Sequence, residues 1–217
     1  MDWLVLAELP EDDRRRVLQA ARRRRYARHE VLFHEGDPGD TLHLIAKGRV
    51  AVAVATSLGE TTTLTVLGAG QFFGELALVG NQPVRTATVT ALEPTETLTL
   101  RQQQFDELRH DHPIIDRFLV AVLAEQVKRL STQLLEALFI DAETRVLRRL
   151  LDLAQEYGGG RPGTVIPLTQ EDIATMAGTT RPTANRVLRD AEAAGAIRTA
   201  RARTELVDPH ILSRWAK

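Results

Sequence analysis

Hydrophobic and polar positions divide the chain into three textures. From residue 2 to residue 28 apolar residues recur at helical spacing, with Val17, Leu18 and Ala21 as a stripe, and the pattern predicts helix throughout. Pro10 suits an early helical position, and Glu11, Asp12 and Asp13 suit the positive end of a helix. From His29 to Leu100 the period falls to two. Thr41 to Ile45, Val50 to Val54, Thr61 to Leu67, Arg85 to Ala91 and Thr95 to Leu100 read as short strands. Gly36, Gly39, Gly48, Gly59, Gly68, Gly70, Gly74 and Gly80 fall between or beside them at turn spacing. Many short alternating strands cut by glycine predict a small antiparallel barrel or jelly roll.

After Gln102 the period becomes helical again. Phe105 and Leu108 mark a short helix, and Pro113 opens a long one reaching about Leu138. Along it Val120, Leu123, Val127, Leu130, Leu134 and Ala137 recur at alternating steps of three and four. That is a heptad seam, which seeks a partner helix. Ile115, Phe118, Leu119 and Val122 form a second stripe able to pack on the barrel. Two stripes on one helix favour a two-fold homodimer over one broad face buried within a single domain. Leu138 to Asp141 reads as a boundary. Asp141 caps the next helix, which carries Val146, Leu147, Leu150, Leu151 and Ala154 on one face. A loop over residues 158–163 and a strand over residues 164–167 follow.

Residues 168–195 carry a distinct pattern. Thr169 and Asp172 form a capping box, Ala174 is small where helices must cross, and Gly178 permits a tight turn. Thr179 or Thr180 caps the next helix, whose first turn tolerates Pro182. Ala184, Val187 and Leu188 face inward. Arg181, Thr183, Asn185, Arg186 and Arg189 are left outward near the helix start. The spacing of Gln170, Ala174, Gly178 and Ala184 is that of a helix-turn-helix, whose second helix enters the DNA major groove. Ile197 to Val207 then makes a short hairpin, with Arg198, Arg201 and Arg203 able to reach phosphates.

The other chemically loaded stretch is FFGELALVGNQPVRTAT, residues 72–88. Phe72 and Phe73 run into Gly74, the turn Glu75, Leu76, Ala77, Leu78 follows, and a loop delivers Arg85 and Thr86 into a strand. Unpaired N–H groups at a helical turn suit an anion, and Gly74 lets a ligand approach the backbone. Arg85 supplies a donor fork for phosphate oxygens and Thr86 a hydroxyl. Glu75 only accepts, so it fits a sugar hydroxyl. The bland reading of Glu75 and Arg85 is a surface ion pair closing a loop.

Composition narrows the field. The 217 residues suffice for one large or two small domains, and a net charge of −1 makes any nucleic-acid surface a local one. With no cysteine, disulfides and thiolate metal sites are excluded. His29, His34 and His43 lie on the strand region without metal-ligand spacing, so no metal is expected. The run Arg22 to Arg25 reads as a solvated helix end rather than a nucleic-acid patch. No run has membrane-span length and no signal-peptide layout is visible, which suggests a soluble cytoplasmic protein without a membrane partner.

GELAL followed by RTA resembles the phosphate-binding cassette of the cyclic-nucleotide-binding domain. With the helix-turn-helix pattern, nearly the whole chain resembles the bacterial cAMP receptor protein/FNR family of transcription factors. The resemblance implies an α+β fold: an N-terminal antiparallel jelly roll (1–112), a long dimerisation helix (113–138) and a C-terminal winged helix-turn-helix domain (139–217). It implies a cyclic-nucleotide effector, cAMP ahead of cGMP, and a dimer on a palindromic double-stranded operator that works with RNA polymerase. Gly74 and Glu75 would meet the ribose side, with Leu76 and Ala77 in the same turn, Arg85 the cyclic phosphate, and Thr86 phosphate and base. Thr169, Thr180, Arg181, Thr183, Asn185, Arg186, Arg189, Arg201 and Arg203 would face DNA.

Two positions depart from the family. Pro182 stands where a glutamate would read cytosine, which puts the family's usual operator in doubt. Leu130 and Ser131 stand where a Thr-Ser pair would meet the base, so Leu130 packs without hydrogen bonding. A member that binds DNA without a nucleotide, or senses another small molecule, is the close alternative. A barrel enzyme with a DNA-binding tail would need a catalytic pair or metal site that the sequence does not display.

Overall fold

The computed structural model describes residues 3–7, 9–55, 61–79 and 83–217. Gly59, Gly80 and residues 80–82 of the loop leading to Arg85 lie outside the described residues. The chain divides into two compact units, residues 1–60 with 64–128, and 61–63 with 129–217.

The first unit opens with α1 (Leu4–Ala7), α2 (Glu11–Ala20), β1 (Arg22–Tyr26), β2 (Val31–Phe33), β3 (Thr41–Lys47) and β4 (Val50–Ala55). There follow β5 (Thr61–Leu67), β6 (Phe72–Phe73), α3 (Leu76–Val79), β7 (Thr88–Ala91), β8 (Thr95–Arg101) and α4 (Gln102–Asp111). The long α5 (Ile114–Phe139) comes last, and belongs to this unit as far as Lys128. Two antiparallel four-stranded sheets, in the orders β1-β8-β3-β6 and β2-β7-β4-β5, make the jelly roll.

Period-two alternation assigns the two faces of the first sheet. On its outer face Leu42, Leu44, Leu98 and Leu100 pack against Trp3, Leu6, Phe105, Leu108, Ile115 and Leu119. Each fully buried side chain of this kind contributes roughly 1.5–3 kcal/mol. The inner face is mixed. Ile45 and Phe73 join Val50 and Val89 of the opposite sheet, whereas His43, Thr97 and Thr99 bury polar groups.

The expectation of one helix from residue 2 to residue 28 fails after Ala20. Residues 22–26 are strand, paired with β8 in the register Arg22↔Thr99 to Tyr26↔Thr95. Four arginines give no apolar periodicity, and pairing with β8 and burial of Tyr26 decide the conformation instead. The arginine run is therefore not a solvated helix end. Pro10 stands one place earlier than expected, as the residue capping α2. The strand expected from Arg85 begins only at Thr88. Arg85 sits in a loop, its N–H donating to Asp37 O at 2.8 Å and its carbonyl accepting from Gly36 N at 2.9 Å.

The second unit comprises the C-terminal part of α5, α6 (Ala142–Gly158), β9 (Val165–Ile166), α7 (Gln170–Met176), α8 (Arg181–Ala193), β10 (Ile197–Ala200), β11 (Arg203–Leu206) and α9 (Pro209–Trp215). Asp141 Oδ1 accepts from Thr144 N at 2.9 Å, a cap worth about 1 kcal/mol. The buried face of α6 uses Val146, Leu147, Leu150, Leu153 and Ala154. Leu153 replaces the expected Leu151, which is half-buried. A small sheet in the order β10-β11-β9 packs beside the helices as the wing.

Among the described residues no helix is long and apolar enough to cross a membrane. Nor does any group of three or more His, Asp or Glu there stand ready to hold a metal ion.

Candidate nucleotide cradle and nucleic-acid interface

The cassette folds around Arg85. This side chain is 4% exposed and lies 4.2 Å from the Phe33 ring centroid. Its Nη1 donates to Thr41 O at 2.8 Å and to Gly74 O at 3.2 Å, and Nη2 donates to Thr41 Oγ1 at 2.7 Å. Nε is buried with no partner. A buried donor without an acceptor costs about 1–3 kcal/mol, so this nitrogen fits an incoming phosphate oxygen.

Gly74 has φ +89, a conformation that excludes most side chains. A Cβ there would lie 2.6 Å from Arg85 Nη1 and 2.9 Å from Thr41 O, so only glycine lets the guanidinium close on the turn. Gly39 does the same for α3, because any side chain there would collide with Ala77 Cβ.

Glu75 is also 4% exposed, and its Oε1 accepts from Gln126 Nε2 at 3.4 Å. Burial pushes its carboxyl above the usual range, while backbone and Gln126 hydrogen bonds and the charge of Arg85 pull it partly back. Glu75 and Arg85 are thus buried, not a surface ion pair. Burial pulls the Arg85 guanidinium down, against the carboxylates of Asp40, Asp37 and Glu75. It stays charged at any working pH.

Gly74, Glu75, Ala77 and Arg85 converge, while Leu76 (39% exposed) and Thr86 lie outermost. Leu130 and Ser131 belong to the second unit. Sequence reasoning missed Thr41, Phe33 and Gln126. The first two sit on strands remote in sequence, and Gln126 falls off both apolar stripes of α5. His43 is buried and stacks on Phe73 at 4.8 Å between ring centroids. Its pKa is lowered to about 3 by burial, then by Arg85 and Arg24. It is a neutral core residue.

On α5 the expected seam is largely uncovered. Val120, Val127, Leu130 and Leu134 are exposed, Ala137 likewise, and Leu123 is half-buried. The stripe meant for the roll behaves as read: Ile115 and Leu119 are buried in the core, with Phe118 against it.

In the second unit the helix-turn-helix forms as its caps dictate. Thr169 and Asp172 exchange capping bonds, Thr180 caps α8, and Gly178 takes φ +59 in the turn. Arg145 fastens that turn to the start of α6, donating to Ala177 O at 3.0 Å, Gly178 O at 3.0 Å and Ile140 O at 2.7 Å. Ala184, Val187 and Leu188 are buried, so Arg181, Arg186 and Arg189 stand outward and Thr183 and Asn185 half-outward.

Arg181 Nε lies 3.9 Å from Glu171 Oε2, and Arg186 Nη2 lies 2.5 Å from Glu143 Oε1. Asn185 Nδ2 donates to Gln170 Oε1 at 2.5 Å. These partners were not legible in the sequence. Arg201 is exposed at the wing turn beside Ala202, which has φ +52, and Arg203 lies 3.5 Å from Glu205.

A jelly roll with an anion-ready turn and a winged helix-turn-helix on one chain define a DNA-binding regulator with a small-molecule domain. Comparison with known proteins agrees. The cyclic nucleotide-binding domain model matches residues 23–112, and the Crp-like helix-turn-helix domain model matches residues 144–215. The CRP-like cAMP-activated global transcriptional regulator of Mycobacterium tuberculosis (strain ATCC 25618 / H37Rv) is 32% identical over 195 residues, 88% of this chain and 87% of that one. The cyclic AMP receptor protein of Thermus thermophilus is 30% identical over 200 residues, 92% of this chain and 90% of that one. Among solved structures, a CooA mutant from Carboxydothermus hydrogenoformans has TM-score 0.75 and 26% identity, covering 100% of this chain and 96% of that one. The chain belongs to the CRP/FNR family of bacterial transcription regulators. It is a DNA-binding regulator with a cyclic-nucleotide-binding domain, and not an enzyme.

Proposed function

We propose that the protein is a homodimeric transcription regulator of the bacterial cytoplasm whose operator binding responds to a cyclic nucleotide, cAMP ahead of cGMP. Residues 1–112 bind the effector, 113–138 form the dimer helix, and 139–217 bind a palindromic DNA site and act with RNA polymerase. The observation that carries this reading is the buried Arg85 with an unsatisfied Nε, closed over Gly74 and next to the buried acceptor Glu75.

Arg85 and the Thr86 hydroxyl would hold the cyclic phosphate, with the Leu76 and Ala77 backbone lining the turn. Glu75 would accept from the ribose hydroxyl. Leu130 and Ser131 would meet the base. The exposed stripe from Val120 to Ala137 would join two copies, as in the commonest closed assembly.

On DNA, Arg181 and Arg186 would each take a guanine edge bidentately, with Thr183, Asn185 and Arg189 beside them. Thr169, Thr180, Arg201 and Arg203 would meet phosphates. Pro182 offers no acceptor to a cytosine amino group, so this protein's half-site differs from the usual one at that base pair.

A second reading, operator binding with little dependence on nucleotide, is favoured by Leu130, whose side chain gives the base apolar contact only. The two separate in one experiment: calorimetric titration with cAMP and cGMP, then anisotropy of a palindromic DNA in each state. We expect one nucleotide per chain and an operator response of about tenfold, equivalent to 1.4 kcal/mol of difference between states. No nucleotide binding would defeat the effector reading, and a response of about a hundredfold or more would defeat the reading of Leu130. A monomer in sedimentation at micromolar concentration would defeat the dimer.

A further inference from the structure

Strand β1 carries arginine at four successive positions, and its two faces are treated differently. Arg23 and Arg25 point to one face, where both bond the Glu96 carboxylate. Arg22 and Arg24 point to the other, opposite Thr99 and Thr97 of β8. Among the described residues Arg22, Arg24 and the neighbouring Arg101 have no ion-pair partner.

These three arginines help line a cavity of about 680 Å³. His43, Thr99 and the buried Arg85 lie deeper in its wall. Asp37 and Asp40 are the carboxylates of that wall, so four arginines face two acids. His43 adds no charge, because it stays neutral above a pKa of about 3.

The cavity lies beside the nucleotide cradle and shares Phe33, Thr41 and Arg85 with it. Its lining contains no residue of the turn 74–79 and none of α5, and Arg85 is the wall between them. A sheet face packed inside a roll is normally apolar. Here it carries the arginines of β1 and Arg101 together with the hydroxyls of Thr41 and Thr99.

We propose that this cavity is a second ligand site, for a small phosphate ester carrying two or more negative charges. Arg22, Arg24 and Arg101 offer planar forks that match phosphate oxygens. Asp37 and Asp40 can accept from hydroxyl groups of the same ligand. The volume falls in the range of small-molecule sites, and a buried polar floor has no use under a flat protein contact. The proposal does not depend on which nucleotide the cradle takes.

The test is a calorimetric titration of the full-length protein with inorganic tripolyphosphate at low ionic strength. One saturable site per chain is expected. The double variant Arg22→Gln, Arg24→Gln should weaken it at least about tenfold, through loss of two charge-assisted forks. Arg23→Gln, Arg25→Gln removes the same charge from the same strand but on the opposite face, and should change the affinity by less than about twofold. The affinity of Arg22→Gln, Arg24→Gln for cAMP should stay within about twofold of the original.

Absence of saturable binding overturns the proposal. So does an equal loss in both double variants, which would mean non-specific attraction. Undiminished binding in Arg22→Gln, Arg24→Gln would put the ion elsewhere, on the recognition helix for example. Parallel loss of cAMP binding would make the cavity part of the nucleotide site. Capture of a polyglutamate peptide without tripolyphosphate binding would give the face to an acidic protein instead.

Discussion

The two sets of charged side chains proposed to meet phosphate chemistry are built in opposite ways. Arg85 and Glu75 are each 4% exposed, whereas the side chains of Arg181 and Arg186 are 67% and 60% exposed. Burying a charge costs several kcal/mol, and Arg85 recovers this through three hydrogen bonds to Thr41 and Gly74 and its place over Phe33. Its geometry is thus fixed before any ligand arrives. The acidic neighbours of Arg181 and Arg186, Glu171 and Glu143, are themselves exposed, so solvent screens both pairs. A small ligand with one anionic group rewards a fixed fork. A long polyanion rewards many exposed charges, whose attraction is screened by salt and driven by released counterions.

The largest effect should come from Arg85→Lys, which keeps the charge and removes the fork. We expect cAMP affinity to fall by about a hundredfold, about 2.7 kcal/mol, with little dependence on salt. Circular dichroism would check the fold, and a loss under about fivefold would break the contrast.

On the exposed side, Arg186→Ala should cost about 1–3 kcal/mol on the matched operator and relax preference at one base pair. Arg203→Ala should weaken all DNA alike and lower the salt slope by about 1. Anisotropy titrations on matched and scrambled duplexes at two salt concentrations read both. A uniform loss from Arg186→Ala would remove its reading role.

A third test uses His43, which is buried near Arg85. An unfolded histidine takes up a proton near its ordinary value of 6.5, and the folded one only near 3. The folded state therefore binds fewer protons in that window. The contribution to stability is complete above pH 6.5 and is lost as pH falls toward 3. Urea unfolding at pH 7 and pH 5 should differ by about 2 kcal/mol from this group. His43→Phe, which keeps the stack on Phe73, should remove that part. An unchanged pH dependence in the variant would count against it.

The smallest expected effect is a proton linkage at Glu75. Its carboxyl lies above the usual range, so the proton is held as pH falls and the ribose acceptor is lost. Affinity for cAMP should rise with pH through the raised value, by at most about tenfold per unit. Glu75→Gln should bind more weakly with a flat profile. A flat profile in the unaltered protein would show the carboxylate already ionised.

What the sequence by itself determined is what short-range rules govern. The capping pairs at Asp141, Thr169 and Thr180 read correctly, because a cap needs only four consecutive positions. The strands with clean alternation, the long helix and its stripe against the roll read correctly for the same reason. Gly74 and Arg85 were legible because eleven residues of chain bring them together around one turn. Only the tertiary structure decided the conformation of residues 22–26, since pairing with a strand more than seventy residues away overrode a polar run without periodicity. It also decided that Glu75 and Arg85 are buried rather than paired at the surface, and that Arg186 rests on Glu143. Desolvation and partner choice depend on which distant segments close over a side chain. That information enters only when the sheets and helices pack.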